Sequence, residues 1–294
     1  MRLGVVILPE YRWPEARMRW RQAEALGFKH AWTYDHLTWR SLRDSSWFGA
    51  VPTLAAAALD TETIRLGTLV ASPNFRHPLP FAKELMTLDD LSGGRVTAGL
   101  GAGGTGWDAT ALGQEAWHPG ERAERFAEFV TALDVILAAP ASDFEGRYYQ
   151  ARAARSLPGC LQRPRVPFVI AATGPRGFQV VARHGAGWVT TGDVTIASPL
   201  ALGEAVTVVG HQLEGLHAAC ATAGRDPASV DRIVLSGLSI PGPHHSAESL
   251  RATIDAFETI GITDFVLHWP RPTEPYRGSQ QRFISVVSEV LASA

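Results

Sequence analysis

The residues best suited to acid–base chemistry are the adjacent Asp35 and His36, which close an apolar run over 30–34. An imidazole changes charge near neutral pH, and a carboxylate beside it can fix which ring nitrogen carries the proton. The competing reading has Asp35 capping the next segment and His36 merely hydrogen-bonding near by. A second group is made of small residues. Gly101, Ala102, Gly103, Gly104 and Thr105 follow one apolar run, and Ala171, Ala172, Thr173, Gly174, Pro175 and Arg176 end another and lead into a helix. Glycines let backbone N–H groups approach phosphate oxygens, a helix start adds positive potential, and Arg176 adds charge. Ser72 joins this set from the end of a third run, and Trp39, His268 and Trp269 are candidates for substrate contact. The set lacks paired carboxylates, a lysine and metal-ligand spacing. It suits a flat aromatic cofactor with a phosphate better than hydrolysis or aldol chemistry.

Eight β-rich runs, at 3–8, 30–34, 64–70, 95–100, 166–171, 187–191, 233–240 and 264–269, carry these groups at or just beyond their ends. Helical periodicity falls between and after them, at about 14–26, 51–59, 78–91, 121–138, 177–184, 202–223, 246–260 and 280–291. In residues 78–91, for example, Phe81, Leu85, Leu88 and Leu91 share a face, Pro78 suits a helix start, and Ser92-Gly93-Gly94 suits its end. His77 reads as a cap on that start. Residues 107–119 read as loop, and 144–149 as a short strand in an insertion. Strict alternation argues for a parallel sheet, and eight units without a domain break favour one (β/α)8 barrel spanning residues 1–294. The strand carboxyl ends then converge on one mouth. The rival dinucleotide-binding fold is suggested by the G-x-G-x-x-G spacing at 101–106. That motif should open directly into a helix and be followed by an acid about twenty residues on, and neither holds.

Composition excludes several classes. Twenty-seven basic residues are scattered against 29 acidic ones, for a net charge of -2, so no nucleic-acid partner is expected. No run approaches the roughly 20 apolar residues of a membrane span, and the N-terminal apolar run is too short for a signal peptide. Cys160 and Cys220 match no metal or redox spacing, which fits a reduced, cytoplasmic chain. His211 and His217 fall on different helix faces, and His244-His245 lacks a third ligand, so no metal is expected.

The pattern RLGT at 65–68, RHP at 76–78 and LDDLSGGRVTAGLGAG at 88–103 resembles the bacterial luciferase-like monooxygenase superfamily, barrel enzymes that use FMN or the deazaflavin F420. The resemblance covers about forty residues, and the run IAATGP at 170–175 is similar to one in F420-using members. It implies a luciferase-like barrel oxidoreductase with F420 as cofactor and FMN as the alternative. It places Asp35 and His36 beside the ring, a bulge with a cis peptide at Leu69 and Val70 against the ring face, and the glycine loops around the tail. With F420 the chemistry is hydride transfer to or from a small organic substrate; with FMN it is monooxygenation fed by a separate flavin reductase. A non-catalytic flavin-binding barrel is the alternative from another class. A homodimer is common in the family. Sugar-phosphate dehydrogenases of the F420 branch carry a catalytic Glu in the loop that here reads GGTGWD, so their scheme does not transfer. Asp108 is the nearest acid that could stand in.

Overall fold

The computed structural model describes residues 1–196, 198–243 and 245–292, so His244 of the disfavoured histidine pair lies outside the described residues. In chain order the elements are β1 (Arg2–Val6), α1 (Trp13–Leu26), β2 (His30–Thr33), α2 (Ala50–Asp60), β3 (Arg65–Thr68), α3 (Pro78–Leu91) and β4 (Val96–Leu100). There follow α4 (Trp107–Thr110), α5 (Pro119–Ala138), β5 (Ala141–Glu145), β6 (Gln150–Arg155), β7 (Phe168–Ala171), α6 (Pro175–His184) and β8 (Gly187–Thr190). The chain ends with α7 (Leu202–Thr222), β9 (Asp231–Leu235), α8 (Ala247–Thr259), β10 (Asp264–His268) and α9 (Gln280–Leu291). Eight strands close a parallel barrel in the order β1-β10-β9-β8-β7-β4-β3-β2, and β5 pairs only with β6. The expected (β/α)8 barrel is therefore present.

Alternation along each strand sorts the side chains into two cores. Val5, Ala31, Phe168, Ile170, Val234, Phe265 and Leu267 point outward and pack under the helices. Their neighbours Val6, Trp32, Val169, Ile233 and Val266 point inward and form a smaller core within the barrel. The helices end where local chemistry dictates. In α3 the ring of His77 accepts a hydrogen bond from Leu79 N at 3.3 Å and Pro78 opens the first turn. Gly93 and Gly94 then take φ of +63° and +83°, a backbone that side chains resist.

Two expectations are corrected. Of residues 144–149, read as one strand, Phe144 and Glu145 end β5 and 146–149 form the turn of a β-hairpin. Phe144, Tyr148 and Tyr149 have strand-like side chains, but Glu128 of α5 accepts hydrogen bonds from the backbone N–H groups of Arg147, Tyr148 and Tyr149 at 2.7–2.9 Å and bends the chain there. The run at 233–240 stops as a strand at Leu235. Gly237 and Leu238 take positive φ, and Gly237 bonds back to Ile240, turning the chain across the barrel mouth. Within the stretch read as loop, α4 makes a single turn.

The floor of the barrel is closed by a polar network. Asp264 receives hydrogen bonds from Arg2 at 2.6 Å and sits 3.0 Å from His30 Nε2, while Trp32 Nε1 donates to His30 Nδ1 at 2.6 Å. Burial alone would raise the Asp264 carboxyl, but its bonds to His30 and Arg2 outweigh that and hold it below the usual range. A group depressed in this way contributes stability above the ordinary carboxylate pKa of about 4, and the contribution is lost as pH falls through the folded value. The stability deficit of Asp264→Asn relative to wild type is accordingly expected to be full at pH 7 and to shrink below about pH 4 in urea titrations. Close packing is tested at Gly99, where an added Cβ would fall 1.9 Å from the Thr68 carbonyl oxygen. Gly99→Ala should cost about 2–3 kcal/mol in the same measurement, since backbone has no room to yield.

Candidate active site

The upper half of the barrel is not filled by its own side chains. A cavity of about 980 Å³ opens at the carboxyl ends of the strands. The chain after β3 forms one side: the Leu69–Val70 peptide is cis, both residues reach the wall, and Ala71 pairs again with Leu100. Gly101 is required there, because a Cβ would meet Val70 Cγ2 at 2.5 Å. Gly103, at φ +73°, and Gly104 continue the wall, tied down by a 3.1 Å hydrogen bond from Asn74 Nδ2 to the Gly104 carbonyl.

Next to them, Ala171, Ala172, Thr173, Gly174, Pro175 and Arg176 line the cavity as the neighbouring strand β7 passes into α6. No side chain caps this helix start, and the first intrahelical bond runs from Phe178 N to Gly174 O. The N–H groups of Arg176 and Gly177 therefore precede any intrahelical acceptor. A Cβ on Gly174 would meet nothing within 4 Å, so the space beside this positive helix end is open. Among the described residues Arg176 has only a long hydrogen bond to the Gly120 carbonyl, at 3.5 Å. A phosphate-bearing tail fits this cradle.

His36 lines the same cavity, but Asp35 does not orient it. Along an extended segment adjacent side chains point to opposite sides, so the two diverge. Asp35 turns away from the cavity toward the helix layer, is buried, and receives a bidentate pair of bonds from Arg76, Nε to Oδ2 at 2.9 Å and Nη2 to Oδ1 at 2.8 Å; Arg76 also reaches Glu84 at 2.7 Å. The partner of His36 is Asp108 of α4, whose Oδ2 is hydrogen-bonded to His36 Nδ1. The other oxygen of Asp108 accepts bonds from the N–H groups of Leu37 and Thr38 at 2.7 and 3.2 Å. The carboxylate thus holds both the ring and the loop carrying it. With Nδ1 engaged, Nε2 is the ring nitrogen left to the cavity.

Five other expectations divide. Trp39 is on the wall, between the rings of Trp47 and Tyr276 at 6.2 and 6.1 Å. Ser72 is buried off the wall and Thr105 is exposed outside it, because the chain after Gly104 swings away toward α4. Trp269 continues the outward alternation of β10 and packs on Phe283, away from the cavity. His268 points inward but is covered, stacked 3.6 Å from Tyr276 with its Nε2 2.7 Å from the Tyr34 hydroxyl.

Tyr34, Arg40, Phe126 and Leu238 are wall residues that the sequence did not single out. Tyr34 had a usable signal, two positions before His36 at the end of the same run. Burial, together with Tyr276 beside it, pushes its phenol well above the ordinary range, so it stays protonated. No group of three or more metal-ligating side chains exists among the described residues, and no described helix is long and apolar enough to cross a membrane.

Fold and cavity together define a (β/α)8 barrel with a ligand site at its carboxyl mouth, lined by glycine-rich backbone and one oriented histidine. The chain belongs to the luciferase-like monooxygenase family, whose sequence model matches residues 1–280. It is 37% identical over 174 residues to an F420-dependent glucose-6-phosphate dehydrogenase of Beutenbergia cavernae, a match covering 58% of this chain and 50% of the relative. The chain thus spans about half the length of that curated relative. Among solved structures, an F420-dependent secondary alcohol dehydrogenase in complex with an F420-acetone adduct superposes with a TM-score of 0.82 at 17% identity, over 99% of this chain and 98% of the other. The monooxygenase RslO1 from Streptomyces bottropensis superposes with a TM-score of 0.81 at 22% identity, over 100% and 99%. Both share the fold.

The pairing at Asp35 has a measurable consequence. Arg76→Ala leaves a buried carboxylate without its partner and should cost about 3–5 kcal/mol in urea unfolding, whereas the double change Arg76→Leu with Asp35→Asn should recover part of that loss.

Proposed function

We propose that this chain is an F420-dependent oxidoreductase that moves a hydride between the deazaflavin and a small organic alcohol or carbonyl compound. The observation that carries this reading is the His36–Asp108 pair, set on the wall of a cavity that also presents Leu69–Val70 and an open helix start. Leu69 and Val70 would support the ring face, while Gly101, Gly103, Gly104 and the segment from Ala171 to Arg176 would hold the phosphate tail. When bound, F420 supplies a carbon centre that exchanges two electrons as hydride.

The protein's own residues supply the rest. His36 Nε2 takes the proton from a substrate hydroxyl, or returns it to a carbonyl oxygen, and the carboxylate of Asp108 favours the imidazolium that results. Trp39 and Leu235 exclude water from the reacting atoms. The F420-dependent names of the Beutenbergia relative and of the alcohol dehydrogenase structure support the choice of cofactor. The sugar phosphate of that relative is not carried over. Much of the side-chain lining of the described cavity is aromatic or aliphatic, with Trp39, Val194, Ile196, Leu235 and Leu238.

The monooxygenase name of the RslO1 structure supports FMN as the second reading, and a reductase partner belongs only to that case. Fluorescence titration of the purified protein separates them. Micromolar binding of F420 with much weaker binding of FMN is expected; the reverse would transfer the assignment to FMN, and binding of neither would reject both. In the F420-loaded enzyme, His36→Ala should lower kcat about 10²-fold with cofactor affinity unchanged, and Asp108→Asn should lower it less. Tight cofactor binding with no turnover on any alcohol or carbonyl, and no effect of His36→Ala, would instead favour a non-catalytic carrier.

A further inference from the structure

The described part of the cavity wall contains two guanidinium groups, Arg176 and Arg40, and no Asp or Glu. Arg176 stands at the helix start of α6. Arg40 stands on the loop that carries His36, and nothing in the cofactor reading uses it. Among the described residues its guanidinium has no hydrogen bond or ion pair; its contact is the Trp39 ring, 5.6 Å from its centre. Its backbone is at φ +41°, a conformation that residues with side chains rarely adopt and that concentrates at ligand sites. The turn cannot easily relax, because both flanks are anchored. Trp39 is buried between Trp47 and Tyr276, and Leu42, two residues on, is buried in the same inner core. The positive charge is thus held where it also acts on the phenols of Tyr34 and Tyr276.

We infer that Arg40 is a specificity-determining residue that binds the carboxylate of an organic acid, whose aromatic or aliphatic body lies along Trp39 and Leu238. The inference rests on the oxidoreductase reading of this cavity and names its substrate class. A planar guanidinium matches a carboxylate with two parallel hydrogen bonds. A phosphate fits less well at this end of the cavity, where there is neither a glycine-rich loop nor a helix of useful length to add donors; those lie at Arg176. With no acid on the described wall, an anion entering this site meets no opposing charge.

The test is a set of isothermal titrations with benzoate, 4-(hydroxymethyl)benzoate, phenylacetate and hexanoate, each against its methyl ester, with and without saturating F420. At least one acid is expected to bind about tenfold more tightly than its ester, the size of effect that one charge-assisted contact supplies. Arg40→Gln should abolish that preference while leaving ester and F420 affinity unchanged, and Arg40→Lys should retain part of it. No acid binding more tightly than its ester, or a preference that survives Arg40→Gln, would overturn the inference. The F420 titration keeps the two levels apart. Normal cofactor binding with no acid preference rejects the role of Arg40 alone, whereas failure of F420 to bind rejects the F420-dependent reading and leaves the acid–ester comparison intact.

Discussion

A buried guanidinium–carboxylate pair, Arg76 with Asp35, is the constraint on which the mouth of this barrel depends. It joins the segment after β2 to the segment after β3. Immediately beside one partner sits His36, and six residues before the other sits Val70 on the cavity wall. A charge taken out of water is tolerated only when its partner is held in place, so the pair fixes the separation of the two segments far more strictly than loop packing would. The third member, Glu84 on α3, ties the same arginine to the outer helix layer. Loops that ordinarily vary are here pinned to the scaffold at the point where a ligand would be gripped.

Above that anchor the cavity is divided by chemistry. One side is backbone: Gly101, Gly103, Gly104 and the start of α6, with N–H groups and a helix end that favour negative charge. The other side is side chain: the Tyr34, Trp39 and Tyr276 rings, with His36 held by Asp108. The imidazole is the one acid–base group on that described wall whose ordinary pKa lies near neutrality. Its partner comes from α4, seventy-two residues further along the chain, so the acid–base pair exists only when the loops after β2 and β4 meet. The stacking of Arg43 over Trp107, 3.9 Å from the ring centre, holds those two loops together from outside.

Much of the architecture was legible in the sequence because alternation of apolar strands and amphipathic helices is a local signal, repeated eight times. The glycine-rich ends of β4 and the run into α6 were legible for the same reason: the residue types that free a backbone are visible without knowing what lies opposite. The main errors concern what lies opposite. Asp35 and His36 are neighbours in sequence but their side chains face opposite ways, and no local rule assigns Asp108 to the histidine and Arg76 to the acid. Trp269 sits one step beyond His268 in an alternating strand, which sends it to the helix layer and not to the rim. Tyr148 and Tyr149 carry strand-like side chains, yet a glutamate on a preceding helix gathers the N–H groups of 147–149 into a turn.

The closed floor of the barrel carries a consequence for traffic. His30, Trp32 and Asp264 fill the amino end with mutually bonded side chains, and Gly4 has no side chain there because one would fall 2.0 Å from the His30 ring. The hollow therefore has a doorway at one end and a wall at the other. Two molecules that meet inside must arrive and depart through the same opening, and whichever lies further in is trapped until the other has gone. An order of arrival and departure is thus written into the plug at the bottom of the barrel, far from any reacting atom.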